Sequence, residues 1–395
     1  MAVFIVFDAF NVMEKGKSLE RLIELDAARG LALAGILAIN LYIFNAPYAY
    51  LDEYYGQFGA RELILLEVVY AVFGGKAMFL FAFLFGYGFY LQAEKHQKSV
   101  QVFRRLYLRR MLVLAGFGIT HILFFWYGDI LLAYALMGCL LLLFYRMPSW
   151  FLSGLAVLLF LSPAIYVATM DYWPTVPLGT ALNYSLSEVI SIYQNGGYPE
   201  FFKVNLHQYL SMKNETVWVY MPKALAAFIV GFLFAKRNGL GLIRIRPGHY
   251  IGLAVLFLAA SVLMHMYKEI VFDLLQLTGR ELLPVRIGMQ IMAFDVMQSL
   301  GYILLIFSLM QYSMLSKPFI LVGFAGRMAL TNYLMQTVAG LLIFSFLGLG
   351  LFGSMAPTQL LVLTGLIFFI QVGISRFYLG FFKQGPMEDL WRRFL

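Results

Sequence analysis

Charge is what this sequence has least of. Only 13% of its 395 residues are Asp, Glu, Lys or Arg, against 62% hydrophobic, and its mean hydropathy is +0.79. A soluble protein of this length could not cover its surface with so little charge, which leaves an integral membrane protein. The net charge of +8 is then no nucleic-acid signature and matters only through where Lys and Arg fall relative to the spans. A single cysteine, Cys139, excludes an intrachain disulfide and a cysteine-based metal site. Five scattered histidines make no metal site either. HExxH, the Walker A loop, GxSxG and the Rossmann fingerprint are all absent, and no inverted repeat is evident. The opening "MAVFIVFDAFNVMEKGKS" lacks a basic n-region and carries Asp8, so it is not expected to be a cleaved signal.

What is present is a succession of apolar runs. Windows of about 20 apolar residues predict an all-α, polytopic membrane protein with about ten spans. They fall near 25–46, 70–92, 107–126, 129–146, 150–170, 217–235, 249–267, 288–311, 320–347 and 357–381. The stretch 54–69 reads as a helix lying in the membrane interface. With the N-terminus in the cytoplasm, 21 of the 29 Lys and Arg residues fall on the inner side, as the positive-inside rule requires. Both termini are then cytoplasmic. The expected organisation is a cytoplasmic segment, 1–21, followed by one transmembrane domain, 22–395. The longest loop, about 171–216, lies outside, and its apolar positions in 186–193 and 201–210 recur at helical spacing. It either shapes a substrate mouth or lies on the membrane surface as amphipathic helices.

Polar residues inside apolar spans are costly, so chemistry is best sought among them. In "LDAARGLALAGILAIN", Asp26 and Arg29 share a helical face and can pair, while Asn40 sits deeper. The pair is either an interfacial anchor or part of a site, and Asn40 is either a packing amide or a ligand contact. In "FGITHILFFWYGDILLAYALMG", His121 precedes Asp129 by about 12 Å of straight helix, with Trp126 and Tyr127 between them. A hairpin would bring them together as a carboxylate-poised general base; the alternative is a buried histidine bonded to a carbonyl. Lys76, in "FGGKAMFLFAFLFGYG", either snorkels or lines a cavity. In "VGFAGRMALTNYLMQT", Arg327 begins a span, and Asn332 and Gln336 stack at i, i+4 on a face that must look into protein or a wet cavity. Asp295 is expected in the same interior.

These stretches, with "LIELDAARGLALAGILAIN", "RRMLVLAGFGITHILFFWYGDILLAYALMG" and the tail "GPMEDLWRRFL", resemble the YeiB-like family, which carries domain of unknown function 418. The family's own motif region is expected over about 230–395. The resemblance implies kinship with transmembrane acyltransferases such as heparan-alpha-glucosaminide N-acetyltransferase and, more distantly, acyltransferase family 3. It implies acyl-CoA, such as acetyl-CoA, bound from the cytoplasm, a hydroxyl- or amine-bearing acceptor on the opposite face, and no metal. It also suggests a homodimer in a bacterial cytoplasmic membrane. Acyltransferase family 3 places histidine eleven residues after the arginine, where this chain has Asn40. The glucosaminide branch keeps asparagine there and puts its histidine in the first outer loop, yet "NAPYAYLDEYYGQFGARE" contains none.

The base must therefore come from elsewhere, and His121, oriented by Asp129, is the candidate. Arg29, with Arg105, Arg109, Arg110 or Arg327, would hold the coenzyme A phosphates. Asn40 would steady the thioester oxygen. Lys76, Tyr127, Asn332 and Gln336 would line the substrate cavity. The rival readings are a transporter of a small metabolite using the same polar interior, and a membrane scaffold without turnover.

Overall fold

The computed structural model describes residues 22–169, 184–275 and 282–394. Among them every regular element is helical. The expected segment 1–21 and the early part of the 171–216 loop lie outside the described residues. The first apolar helices are α1 (Ile23–Asn45), α2 (Ala60–Phe73), α3 (Lys76–Lys95), α4 (Val100–Phe124), α5 (Leu131–Phe144) and α6 (Ser149–Phe160). Two amphipathic helices follow, α7 (Leu186–Asn195) and α8 (Tyr198–Ser211). Further along lie α9 (Met221–Lys236), α10 (Pro247–Leu274), α11 (Gln298–Leu309), α12 (Ser313–Arg327), α13 (Ala329–Phe344), α14 (Pro357–Phe381) and α15 (Pro386–Arg393), with shorter helical pieces between some of them.

Seven helical runs among the described residues are long and apolar enough to cross a bilayer. Three further apolar helices, α5, α6 and α13, have 14, 12 and 16 residues. At 1.5 Å per residue they reach only about 18–24 Å, short of a hydrocarbon core of about 30 Å. The span expected over 320–347 is in fact broken at Met328, where α12 ends and α13 begins. The segment expected as a separate interfacial helix joins the next span as α2 and α3, interrupted at Gly74 and Gly75. Gly75 has φ +72°, a left-handed conformation suited to glycine.

Small residues set how closely these helices pack. A Cβ at Gly86 of α3 would lie 1.9 Å from the carbonyl oxygen of Phe228 in α9, and one at Gly231 would lie 1.9 Å from that of Phe83. The two backbones therefore touch reciprocally, as small residues permit in membrane bundles.

Two apolar cores divide the bundle along α1. Near Arg29, at what is here called the basic end, a core of Leu25, Leu33, Phe83, Phe89, Tyr107 and Phe228 joins α1, α3, α4 and α9. Toward Asn45, at the far end, the core is aromatic. Phe44 stacks on Trp126 at 4.0 Å and Tyr193 on Phe352 at 4.0 Å. The helices expected over 186–193 and 201–210 are α7 and α8, and their apolar faces (Val189, Tyr193, Phe201, Val204) complete this layer. Ser185 opens α7 with a capping box: its hydroxyl accepts the N–H of Glu188, whose carboxylate accepts the N–H of Ser185.

Candidate active site

Two ionisable groups meet where α4 turns back into α5. The helical ladder of α4 ends as the His121 carbonyl accepts the N–H groups of both Phe125 (3.0 Å) and Trp126 (2.9 Å). The chain then reverses, and Asp129 Oδ2 accepts the Leu132 N–H at 2.8 Å in the first turn of α5. The fold-back brings His121 Nδ1 to 3.2 Å from Asp129 Oδ1, with side chains 1% and 0% exposed. The two atoms are close without a directional hydrogen bond, since neither has a hydrogen-bond partner among the described residues. On the other side of the ring, Nε2 lies 2.8 Å from the Thr337 hydroxyl of α13.

Two residues hold this geometry. Gly118 lies one turn before His121, and a Cβ there would sit 2.4 Å from the Leu132 nitrogen and 2.9 Å from Asp129 Oδ2. Only a glycine lets α4 approach the start of α5 so closely. From α8, buried Asn205 accepts the Tyr127 N–H at 2.9 Å and donates to the Ile122 carbonyl at 3.0 Å. Asn205 thereby satisfies backbone groups released where the helix ends.

A cavity of about 250 Å³ approaches the pair from the basic end. Arg29, Arg110 and Arg327 line it together with Gln92, Glu388 and Trp391, and its apolar part runs past Leu114, Leu131 and Tyr134 to Ile130 and Tyr333. Tyr333 forms the end wall. Its ring centroid is 5.5 Å from that of His121, and its hydroxyl donates to the Gly128 carbonyl (3.2 Å) and accepts the Ile130 N–H (3.3 Å). The histidine is thus one ring away from the cavity.

The three arginines are held in place by neighbours. Arg29 pairs with Asp26 at 3.1 Å. Arg110 donates to Gln92 and lies over the Trp391 ring at 5.6 Å, while Trp391 Nε1 donates to the Arg110 carbonyl at 3.2 Å. Arg327 donates to the Lys383 carbonyl at 3.2 Å. At the break between α12 and α13, Glu388 accepts the Leu330 N–H (2.7 Å), the Thr331 N–H (3.1 Å) and the Thr331 hydroxyl (2.6 Å). This carboxylate from the tail caps the start of α13, which explains why one helix does not run on from α12.

The remaining sequence candidates lie elsewhere. Arg105 and Arg109 are exposed on α4 and do not line the cavity. Asn40 is partly exposed and makes no side-chain hydrogen bond among the described residues. Its neighbour Asn45 is the structural amide, donating to the Met355 carbonyl at 2.9 Å and accepting the Met355 N–H at 3.3 Å. Asn332 donates to the Ala325 carbonyl and the Ser375 hydroxyl, both at 2.9 Å, and Gln336 donates to Gln371 at 3.0 Å. Both amides tie α13 to its neighbours rather than lining the cavity. Tyr127 is buried in the aromatic layer, and its phenol, 3.4 Å from the Ile43 carbonyl, is pushed well above its ordinary range by burial. Lys76 is buried in a separate region. Asp295 also departs from expectation, pairing with Lys223 at 2.9 Å rather than joining Asn332 and Gln336.

Residues 234–395 match the family described as protein of unknown function (DUF418). Residues 21–187, which include α1, α4 and the His121 hairpin, match the catalytic domain of heparan-alpha-glucosaminide N-acetyltransferase. Those are the matches of a YeiB-like DUF418 protein. Relatives agree along nearly the whole chain. "Uncharacterized protein YxaH" of Bacillus subtilis is 29% identical, covering 94% of both chains. "Uncharacterized protein YeiB" of Escherichia coli is 28% identical, covering 95% of this chain and 96% of its own. No solved structure matches. Its similarity to the catalytic domain suggests a transmembrane acyltransferase-like function, and its relatives are bacterial.

Proposed function

We propose that this protein moves a short acyl group from acyl-CoA, entering at the basic end, to a hydroxyl or amine at the far end. The observation that carries the reading is the cavity that starts among Arg29, Arg110 and Arg327 and stops at the ring covering His121. Guanidinium groups suit the phosphates of the coenzyme. The apolar stretch past Leu114 and Leu131 suits the pantetheine arm and a small acyl group. By the positive-inside rule the basic end is cytoplasmic, which puts both termini inside and the aromatic layer outside.

His121 is the base in this proposal, and Asp129 steadies the imidazolium that forms. The acceptor gives its proton to the Thr337 hydroxyl while the hydroxyl proton passes to His121 Nε2. The acceptor atom attacks the thioester carbonyl, the C–S bond breaks, and the departing thiolate takes up the proton that His121 gained, which returns the histidine to its neutral form. Tyr333, whose hydroxyl proton is already given to the Gly128 carbonyl, closes the end of the cavity against the acyl group. Acetyl-CoA is the donor to try first.

The test is reconstitution of the purified protein in liposomes with radiolabelled acetyl-CoA, with mass spectrometry for co-purified coenzyme A. Bound coenzyme and acetyl consumption that is lost in His121→Ala support acyl transfer. Full consumption by His121→Ala removes the catalytic assignment. Solute counterflow without acyl consumption replaces it with transport.

A further inference from the structure

A second group of charges lies inside apolar segments, away from the arginine-lined cavity. Lys223 of α9 and Asp295, in the widened turn Ile291–Met297 that leads into α11, pair at 2.9 Å. Another widened turn, Thr216–Tyr220, leads into α9 just before Lys223. Such turns insert an extra residue into a helix and re-aim its side chains, and they occur often at functional sites. Lys76 is only 7% exposed, lies within the electrostatic reach of both partners, and makes no hydrogen bond or ion pair among the described residues.

The arrangement does not balance. With Lys76 charged, two ammonium groups stand against the one carboxylate of Asp295 inside an apolar segment, where an unpaired charge is costly. Lys223 and Asp295 are not sealed, their side chains being 19% and 21% exposed. They open on a cleft lined also by Gly75, Met78, Phe160 and Tyr220, with about 30 Å³ clear of its walls. Gly75 belongs there: a Cβ would meet Asp295 Oδ1 at 3.0 Å. The free space suits one small group, and the surplus charge calls for an anion.

We propose that this cleft binds a single carboxylate, held by Lys223 with Lys76 behind it. Asp295 is the internal competitor: in the free protein it occupies the Lys223 ammonium, and an entering carboxylate shares or displaces it. A phosphate would carry more charge than the one surplus lysine balances and more bulk than the cleft holds. Acyl transfer need not occur for the cleft to be filled.

The intact protein in detergent is heated in sodium acetate, sodium phosphate or sodium chloride at matched ionic strength. Acetate at about 50 mM is expected to raise Tm by about 2 °C over chloride. The rise disappears in Lys223→Met or, should that variant fail to fold, in Lys76→Met. It grows in Asp295→Asn, because the competing carboxylate has lost its charge. Equal Tm in acetate and chloride, a rise that survives the lysine variant, or a smaller rise in Asp295→Asn overturns the site. A larger rise with phosphate than with acetate overturns the carboxylate class.

Discussion

Tyr333 separates His121 from the arginine-lined cavity, its ring 5.5 Å from the imidazole and its hydroxyl bound to the turn that carries Asp129. The same residue is therefore a wall for the cavity and a brace for the hairpin. Tyr333→Phe keeps the wall and loses the brace. It is expected to lower stability by about 1–2 kcal/mol in thermal unfolding. Tyr333→Ala removes the wall, so under the proposed acyl transfer water would reach the thioester. Thiol release from acyl-CoA without acceptor is expected to rise in that variant above the wild-type background.

Gly118 sets the distance between His121 and Asp129. Gly118→Ala puts a methyl group 2.4 Å from the Leu132 nitrogen, so α4 and α5 must separate. Overpacking of this kind costs about 1–3 kcal/mol. The expected signature is lower Tm together with loss of acetyl consumption. Unchanged turnover in a folded Gly118→Ala protein would show that the helix gap does not govern the pair.

Asn205 binds the hairpin from outside it, through one donor and one acceptor. Asn205→Ala leaves the Tyr127 N–H and the Ile122 carbonyl buried without partners, at a cost of about 2–4 kcal/mol. Asn205→Asp keeps the acceptor for Tyr127 and loses the donor to Ile122, so its loss should be smaller. Hydrogen exchange at the Tyr127 amide distinguishes them: fast in the alanine variant, protected in the aspartate variant.

Glu388 holds the start of α13 through three hydrogen bonds. Glu388→Ala strips the cap and is expected to cost about 1–2 kcal/mol, with faster exchange at Leu330 and Thr331. Under the proposed function, acyl-CoA binding would weaken too, because Trp391, on the same tail helix, then no longer fixes Arg110. Equal exchange in variant and wild type would refute the capping role.

The sequence makes some of this site visible and hides the rest for a geometric reason. The hairpin joining His121 to Asp129 is local, so its closing follows from a short turn between two apolar runs. The pairing of Asp26 with Arg29 is one helical turn and equally legible. On α13, however, the amides Asn332 and Gln336 draw attention, while Tyr333 and Thr337 occupy the adjacent stripe, one position or about 100° around the helix. The amides are the more polar pair and face α14; the aromatic and the hydroxyl face His121 and the cavity. Composition cannot say which stripe looks where. Asn205 and Glu388 are hidden for another reason, since each acts on backbone groups 57 or more residues away in the chain. Asn40 shows the reverse error: an amide on a buried helix draws notice, but Asn45, farther round the same helix, is the one with partners.

Tyr134 lines both the arginine cavity and the cleft at Lys223 and Asp295, and its hydroxyl donates to the Met78 carbonyl at 3.0 Å. The two chambers share a bulkhead one ring thick. An occupant that tilts this ring on one side changes the volume offered on the other, and linkage makes that influence equal in both directions. A carboxylate in one chamber and a coenzyme in the other would then report on each other through a single side chain, with no helix having to move.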